Sequence, residues 1–216
     1  MTPRTPLTRP LIADAAARVA DAGGLAAVSM RNVGKQLGVE AMSLYHHVPN
    51  KEALLDDLAD WVFARIELPA PGQPWRPAMA ERAASARSVL ARHPWALGLV
   101  ESRRAPGPAL LHHHDSVLGC LRAGGFSVAL AAHAFSVIDA YVYGFVLTEQ
   151  NLPFDDDDDA GTDELMASFL AMAENYPHLA ELNATLSRGE TYSYAVEFGY
   201  GLELILDGLE RRMPLG

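Results

Sequence analysis

The sequence predicts an all-α protein in which a three-helix helix-turn-helix head precedes a larger α-helical body. Apolar residues recur at three- and four-residue steps along almost the whole chain, which is typical of amphipathic helices. No run alternates with period two for long enough to predict a strand. Four prolines between Pro69 and Pro77 prevent a helix from running through that stretch. We therefore expect one domain over residues 1–66 and a second over 67–216.

The head is predicted to contain short helices whose ends the sequence marks. The first carries apolar residues at helical spacing from residue 12 and ends at the glycine pair 23–24. The second begins after Ser29, a residue type favoured at helix N-caps, and stops at Gly38. A third helix over residues 41–47 follows after a short turn, and a longer one opens at Lys51.

The body is also predicted to be helical. Its helices are expected near residues 77–92, 95–103, 107–123, 127–149, 163–175 and 190–211, with a further turn of helix at 178–186. Five consecutive aspartates, Asp155 to Asp159, repel one another and predict a hydrated surface loop. The apolar run Val128 to Leu147 is long enough for a membrane span, but Asp139 near its middle favours a buried helix instead.

Composition places the chain in a reducing compartment. The 216 residues are enough to bury a core without disulfides, and a single cysteine, Cys120, forms no bridge within the chain. The first 24 residues lack the apolar core of a signal peptide. We therefore expect a cytoplasmic protein.

The charge is distributed unevenly, although the whole chain carries a formal net charge of −10. Residues 1–51 hold six Lys or Arg against three acidic residues, whereas residues 52–216 hold 11 against 24. A mildly basic head on an acidic body indicates that only the head meets a polyanion.

The residues of the third helix suit contact with duplex DNA. Ala41, Met42, Ser43 and Tyr45 are expected near its exposed N-terminal end, while Leu44 turns inward. Small and hydroxyl side chains allow a helix to enter the major groove, where they reach base edges or phosphates. Two short helices across a glycine turn also occur in proteins that bind no DNA, so spacing alone leaves both interpretations open.

A family resemblance adds to this pattern. The first 66 residues resemble the DNA-binding domain of the TetR family of bacterial repressors, on the run SMRNVGKQLGVEAMSLYHHVPNKEALLDDLADWVF. More weakly, Gly125 to Ser127 before a long helix resembles the layout of the ligand-binding domain in the tetracycline-repressor branch. The resemblance implies a ligand-responsive homodimeric repressor, without enzymatic activity, that a small molecule releases from a palindromic operator.

The resemblance also assigns DNA contacts by position. It implies that Arg31 reaches a base or phosphate, that the 41–43 segment faces base edges, and that a further set of residues holds phosphates. That set comprises Tyr45, His47 and Lys51, and His46 is a further candidate DNA contact. Simpler roles remain open, because Arg31 and Lys51 also suit a solvated surface, and Tyr45 or His46 also suit packing against the head.

Small residues predict where two copies of the chain meet. Ala132, Ser136, Ala140 and Gly144 give the 127–149 helix one face with little side-chain bulk. The last helix offers Ala195, Gly199, Gly201 and Gly208 in a similar way. We expect these helices to form a four-helix dimer interface, with packing inside one subunit as the alternative.

Aromatic, histidine and methionine residues in the body predict a pocket for a small organic ligand. The candidate ligand contacts are Trp95, His114, His133, Tyr141 and Phe169. Each of them also suits an ordinary core position.

No metal or other cofactor is predicted. Successive residues on a helix point about 100° apart, so His112, His113 and His114 do not converge on one ion. Val117 aligns approximately with a ligand-site side chain of the tetracycline branch, which argues against tetracycline and bound magnesium. A small metalloenzyme built on His112, Asp115 and His133 is the competing class, and a DNA-binding module without a ligand response is a third.

Overall fold

The computed structural model describes residues 6–102, 106–152, 175–186 and 194–213, and within these ranges its regular structure is helical, without strands. This agrees with the predicted all-α class. The aspartate run, the candidate ligand residue Phe169 and nearly all of the predicted 163–175 helix lie outside the described residues.

Ten helices occur in the described ranges, and most of them start and end close to the predicted positions. They are α1 Arg9–Ala27, α2 Met30–Leu37, α3 Ala41–Leu44, α4 Lys51–Phe63, α5 Trp75–Arg92, α6 Ala96–Ser102, α7 Pro108–Ala123, α8 Val128–Glu149, α9 Pro177–Leu186 and α10 Tyr194–Glu210.

The chain divides into two compact units. The first contains residues 1–146 with 212–216, and the second contains residues 147–211. In the first unit α4 packs against α1, α6 and α7, and α5 packs against α7. The helices of the head therefore contact those of the body directly.

Side chains cap the head helices where the sequence predicts helix starts. The Ser29 hydroxyl accepts a hydrogen bond from the backbone N–H of Asn32 at 3.2 Å, and the Asn50 side chain accepts one from Ala53 N–H at 2.9 Å. Gly38 ends α2 with φ of 66°, a left-handed conformation that glycine adopts without strain. These boundaries confirm the sequence prediction.

Two boundaries in the head differ from prediction. The helical backbone resumes after a break at the Gly23 and Gly24 pair, so α1 extends to Ala27. The third helix, predicted over 41–47, stops at Leu44, and a turn closed by His47 N–H on Leu44 C=O follows at 2.9 Å. Pro49 lies too far along the chain to set this boundary, since it restricts only Val48. Residues 45–47 instead form a turn that leads to the fully buried Val48.

Among the described residues, α8 alone is long and apolar enough to cross a membrane by length and composition. Seven of its residues are buried inside the protein, among them Asp139, which forms an ion pair with Arg82 of α5. The predicted interpretation of this segment as a helix of a folded domain agrees with that pairing.

Candidate nucleic-acid interface and buried polar cluster

The second helix of the helix-turn-helix, α3, packs against the head through one side and leaves its other side exposed to solvent. Val33 of α2, Leu44 of α3 and Val48 are fully buried and anchor α3 to the head. A side chain at Gly34 would place its Cβ 2.9 Å from the carbonyl oxygen of Val39, so glycine allows the turn to approach α2 closely. The motif is thus fixed by packing on one side only.

The open side carries the side chains that the sequence nominates for DNA contact. Met42 is 71% exposed and Tyr45 is 44% exposed, which are high values for such large side chains. Ala41 and Ser43 are half-buried. We call this the head surface, and its remaining exposed members are Arg31, His46, His47 and Lys51.

Positive charge lies on the head surface and next to it in the sequence. Lys51 is the first residue of α4, where the helix dipole also favours an anion. Arg31 and Lys35 are exposed along α2. Lys35 is absent from the predicted contacts, although its four-residue spacing from Arg31 was a usable signal, because residues four apart share one helix face.

Polar contacts join the head to the body. Asp21 of α1 accepts a hydrogen bond at 2.7 Å from Trp95 Nε1 and pairs with His93 Nδ1 at 2.7 Å. Asp60 of α4 accepts from the backbone N–H groups of Ala109 and Leu110 at 2.8 and 3.0 Å, so it caps the first turn of α7. Hydrogen bonds to a carboxylate of α4 therefore link the first turn of α7 to the head.

A buried polar cluster lies between α5, α7 and α8. Arg82 is 2% exposed and His113 is fully buried. Arg82 donates from Nε and Nη2 to His113 Nε2 at 3.1 and 2.8 Å, and its Nη2 also bonds Asp139 Oδ1. An arginine buried to this degree is uncommon unless it is paired, and here Asp139 balances its charge.

The protonation state of His113 follows from these contacts. Burial first, then the positive charge of Arg82, then His114 and His112, lower the pKa of His113 from 6.5 to about 3. The ring is neutral near pH 7, and because Nε2 accepts from the guanidinium, Nδ1 carries the hydrogen. That Nδ1 and Arg82 Nη1 are buried, and neither has a hydrogen-bond partner among the described residues.

Aromatic rings surround the cluster. Phe63 of α4 meets the His113 ring edge-on, with centroids 5.4 Å apart. His114 packs edge-on against Phe135 of α8 at 4.6 Å, and Arg82 lies 5.8 Å from the centroid of Phe135. The polar groups thus sit in a mainly apolar, aromatic environment.

The structure places the predicted ligand residues in different regions. His114 borders the buried cluster, and half-buried Tyr141 lies 5.9 Å from Phe145. Trp95 lies at the junction of head and body, with its Nε1 engaged by Asp21. His133 is exposed on α8.

The residues of the competing metal-site hypothesis are not brought together. His112, Asp115 and His133 are exposed, and within the described ranges no three His, Cys, Asp or Glu side chains form a group that could hold a metal ion. The predicted site residues omit Arg82 and Asp139, although each is a charge within an apolar helix face and their signs are opposite.

A two-helix motif with an open, basic-bordered face on a helical body defines a class, that of helix-turn-helix DNA-binding regulators. The family models agree with that class. Residues 12–58 match the model "Bacterial regulatory proteins, tetR family", and residues 68–213 match "Tetracyclin repressor-like, C-terminal domain". The chain belongs to the TetR family and is a ligand-responsive transcriptional repressor.

Individual relatives agree. The HTH-type transcriptional repressor DrrR1 of Streptomyces coeruleorubidus is 33% identical over 96% of this chain and 79% of its own length. The class D tetracycline repressor protein of Escherichia coli is 30% identical over 94% and 89%. The crystal structure of ActR from Streptomyces coelicolor in complex with actinorhodin matches with a TM-score of 0.79 at 26% identity, covering 97% of this chain and 98% of that chain.

Proposed function

We propose that two copies of this chain form a dimer that inserts α3 of each copy into successive major grooves of a palindromic operator. A small molecule bound in the body then releases the DNA. The observation that carries the proposal is the exposure of Met42 and Tyr45 beside Lys51, over a motif whose apolar residues are buried on the opposite side. Large apolar and aromatic side chains held in solvent on a basic rim suit contact with a partner surface.

The head residues take different roles in this proposal. Ala41, Met42 and Ser43 face base edges, where Met42 reaches a thymine methyl group and Ser43 bonds a base or phosphate. Arg31 contacts a base or phosphate from α2. The residues proposed to hold phosphates are Tyr45, His46, His47 and Lys51.

We propose a dimer because a single head, which has few cationic residues and one short recognition helix, would bind a single DNA site weakly. A single recognition helix contacts base edges through only three or four side chains. Specific sites therefore generally consist of paired half-sites about one helical turn apart. The small-residue face of α8 supports a second copy, since Ala132, Ser136, Ala140 and Gly144 are all exposed. A face without bulk lets another helix approach closely.

Exposed apolar side chains of α10 support the same role. Val196, Tyr200 and Leu204 are 70%, 68% and 58% exposed, and they recur at four-residue steps along one face. We propose that the partner subunit covers this face. His133 belongs to the exposed face of α8, which favours a place near the partner over one in the effector site.

The effector site is proposed at the buried cluster of Arg82, His113 and His114. Solved relatives with small molecules bound, such as ActR with actinorhodin, support a small-molecule effector in this family. Phe63 of α4 contacts the cluster, and Asp60 of α4 caps α7. We therefore propose that α4 connects the effector site to the head. If α7 has two positions, an effector that binds one of them more tightly favours that position, and the distance between the two heads of the dimer changes with it.

The proposed domain boundary lies next to the proline-rich segment from Pro69 to Pro77. We propose a DNA-binding domain over residues 1–66 and an effector-binding and dimerisation domain over 67–216, in a protein that works in the cytoplasm. Neither domain is proposed to catalyse a reaction.

Selection of bound fragments from random duplex DNA tests the proposal. We expect an inverted repeat with half-sites about one helical turn apart to be enriched. The Tyr45→Ala variant, analysed in parallel, should enrich nothing, while a variant of an exposed body residue, Arg92→Ala, should enrich the same repeat. Recovery of single half-sites, or of no sequence above competitor, contradicts it.

A further inference from the structure

We propose that a cavity between α1, α4 and the start of α7 binds an organic cation, that is, a compound with one ammonium group on an apolar or aromatic body. The cavity has a volume of about 590 Å³, which lies within the range of small-molecule sites in proteins. We call it the junction cavity, because residues of the head and of the body line it. Arg82, His113 and Asp139 do not line it, so this site is separate from the proposed effector site.

Part of the lining is apolar. Ala13 of α1, Pro108 of α7 and the indole ring of Trp61 of α4 contribute to it. The Trp61 ring is held in position, because its Nε1 donates to Asp14 at 2.6 Å and the guanidinium of Arg65 lies 3.3 Å from the ring centroid. A preformed apolar and aromatic surface of this kind suits the hydrocarbon part of a ligand.

The charged residues of the lining leave an excess of negative charge. Arg9 pairs with Asp57 at 2.7 Å, and Arg65 pairs with Asp14 at 3.0 Å. Asp60 has no cationic partner among the described residues, and the two groups that donate to its Oδ1 are backbone N–H groups without formal charge. Among the described lining residues, three carboxylates therefore accompany two guanidiniums.

The pKa of Arg9 reflects the same excess. The hydrogen bond from Arg9 to Asp57 and the charge of Asp57 raise this pKa, burial opposes the rise, and Asp56 raises it further. A cation in the junction cavity is attracted by these carboxylates, whereas an anion is repelled by them. The charge around the cavity therefore favours a positively charged ligand.

Asp60 is the group to which we expect the ammonium to bind. Its side chain is half-buried, and the described contacts engage only Oδ1. An ammonium carries three N–H donors and accepts nothing, so it complements the second carboxylate oxygen. A cation bound at Asp60 contacts the residue of the head that caps α7 of the body.

Three phenyl compounds of similar size separate charge from apolar contact. They are 2-phenylethylammonium, the uncharged 2-phenylethanol and the anion 3-phenylpropionate. We expect the full-length protein to bind the ammonium compound at least about 5-fold more tightly than the alcohol, and to bind the carboxylate least tightly, because of the excess negative charge.

Nuclear magnetic resonance locates the binding. The indole N–H resonance of Trp61, assigned with the Trp61→Phe variant, should shift as 2-phenylethylammonium is added, since this ring lines the junction cavity. Trp75 packs edge-on against Phe126 and does not line the cavity, so its indole resonance is the internal control. The Trp61 titration also gives the affinity.

The Asp60→Asn variant tests the role assigned to the carboxylate. Asparagine keeps a carbonyl oxygen that can cap α7 but removes the negative charge. We expect the preference for the ammonium compound over the alcohol to fall below about 2-fold. Asp115→Asn, altered at an exposed aspartate of α7 outside the cavity, should retain the full preference.

Four results overturn the inference. With the unmodified protein they are an unshifted Trp61 resonance, equal affinity for the ammonium compound and the alcohol, and tighter binding of 3-phenylpropionate. The fourth is an unchanged preference in Asp60→Asn. None of these measurements involves DNA, so their outcome is independent of the operator selection that tests the proposed function.

Discussion

Asp60 caps a helix that begins 48 positions further along the chain: its Oδ1 lies 2.8 Å from the backbone nitrogen of Ala109. Asp60 belongs to α4, the last helix of the head, and Ala109 to the first turn of α7 in the body. A side chain at Gly107 would collide with the same carboxylate, so the approach is close. A helix cap that α4 supplies to α7 thus joins the head to the body.

Removing this cap is expected to destabilise the protein. Asp60→Ala leaves the N–H groups of Ala109 and Leu110 without their acceptor and should lower the free energy of unfolding by about 1–2 kcal/mol. Urea denaturation measures the loss. The neighbouring Asp57 pairs with Arg9, whose side chain is 55% exposed, so Asp57→Ala is the matched control, expected to cost about 0–1 kcal/mol. A control variant as unstable as Asp60→Ala would contradict the assignment.

Removing one member of the buried ion pair should lower the free energy of unfolding more than replacing both members with apolar residues. Asp139→Ala strands the Arg82 charge and is expected to cost about 3–5 kcal/mol, whereas Arg82→Met/Asp139→Leu should fall within about 1 kcal/mol of the unmodified protein or exceed its stability. Denaturant midpoints at matched slope give both values. If the two variants were equally unstable, the charge pairing would not govern stability here.

His113 is expected to make the protein sensitive to acid. Its pKa is about 3 in the folded state, whereas an exposed histidine titrates near 6.5. Between those values the unfolded chain binds the proton and the folded chain does not, so stability rises with pH across this window. Equivalently, acidification from pH 6.5 towards 3 should remove about 1.4 kcal/mol per unit from this group.

The His113→Gln variant isolates this contribution. Its unfolding free energy should fall less steeply between pH 6.5 and 5 than that of the unmodified protein, by about 1 kcal/mol per unit. His178→Gln, which alters an exposed histidine of α9, should leave the slope unchanged. Parallel pH profiles for all three proteins would show that His113 is not neutral in the fold.

Loss of Lys51 should weaken operator binding through charge. A dimer contains two copies, and each phosphate contact contributes about 0.9 to the slope of log affinity against log salt. Lys51→Ala is therefore expected to reduce that slope by about 1.8 while the protein remains dimeric. Electrophoretic mobility shift across a salt series measures it, with Arg92→Ala as the exposed control. An unaltered slope would remove Lys51 from the interface.

A bulky residue at Gly144 should separate the subunits. A Cβ there meets no atom within 4 Å in the described part of the chain, so the fold itself has room for it. Gly144→Leu is expected to weaken association by about 1–3 kcal/mol per protomer, because the partner helix approaches closely. Sedimentation should show monomer where Gly119→Leu, at a similarly open helical glycine, still shows dimer. A full dimer for Gly144→Leu would move the interface elsewhere.

Helix positions were predictable because their signals are local. Ser29 and Gly38 mark the start and stop of α2 through one side-chain cap and one left-handed residue, and both act within a few positions of the chain. The end of α3 was predicted three residues too late, because residue spacing does not distinguish a further helical turn from the turn that follows Leu44. The head surface was foreseen because a short helix exposes a fixed subset of its residues.

The buried cluster was not predictable in the same way. Arg82, His113 and Asp139 come from three helices and are separated by 31 and 57 positions from Arg82, so no periodicity relates them. The sequence analysis considered His113 only as part of the histidine triplet, because local spacing contains no signal of its hydrogen bond to an arginine on another helix. Trp95 was nominated for ligand contact, and only the packing of α1 revealed that Asp21 engages it.

By itself the sequence determined the helical class, the helix-turn-helix and the residues exposed on it, because apolar periodicity, caps and turn glycines act over a few neighbouring residues. Only the tertiary structure decided that Arg82 and His113 bring buried donors into a charge-balanced, aromatic environment, and that Asp60 ties the head to α7. Those relationships depend on which helix faces meet in space, and the free energy of such meetings comes from burial and pairing between distant segments rather than from any segment alone.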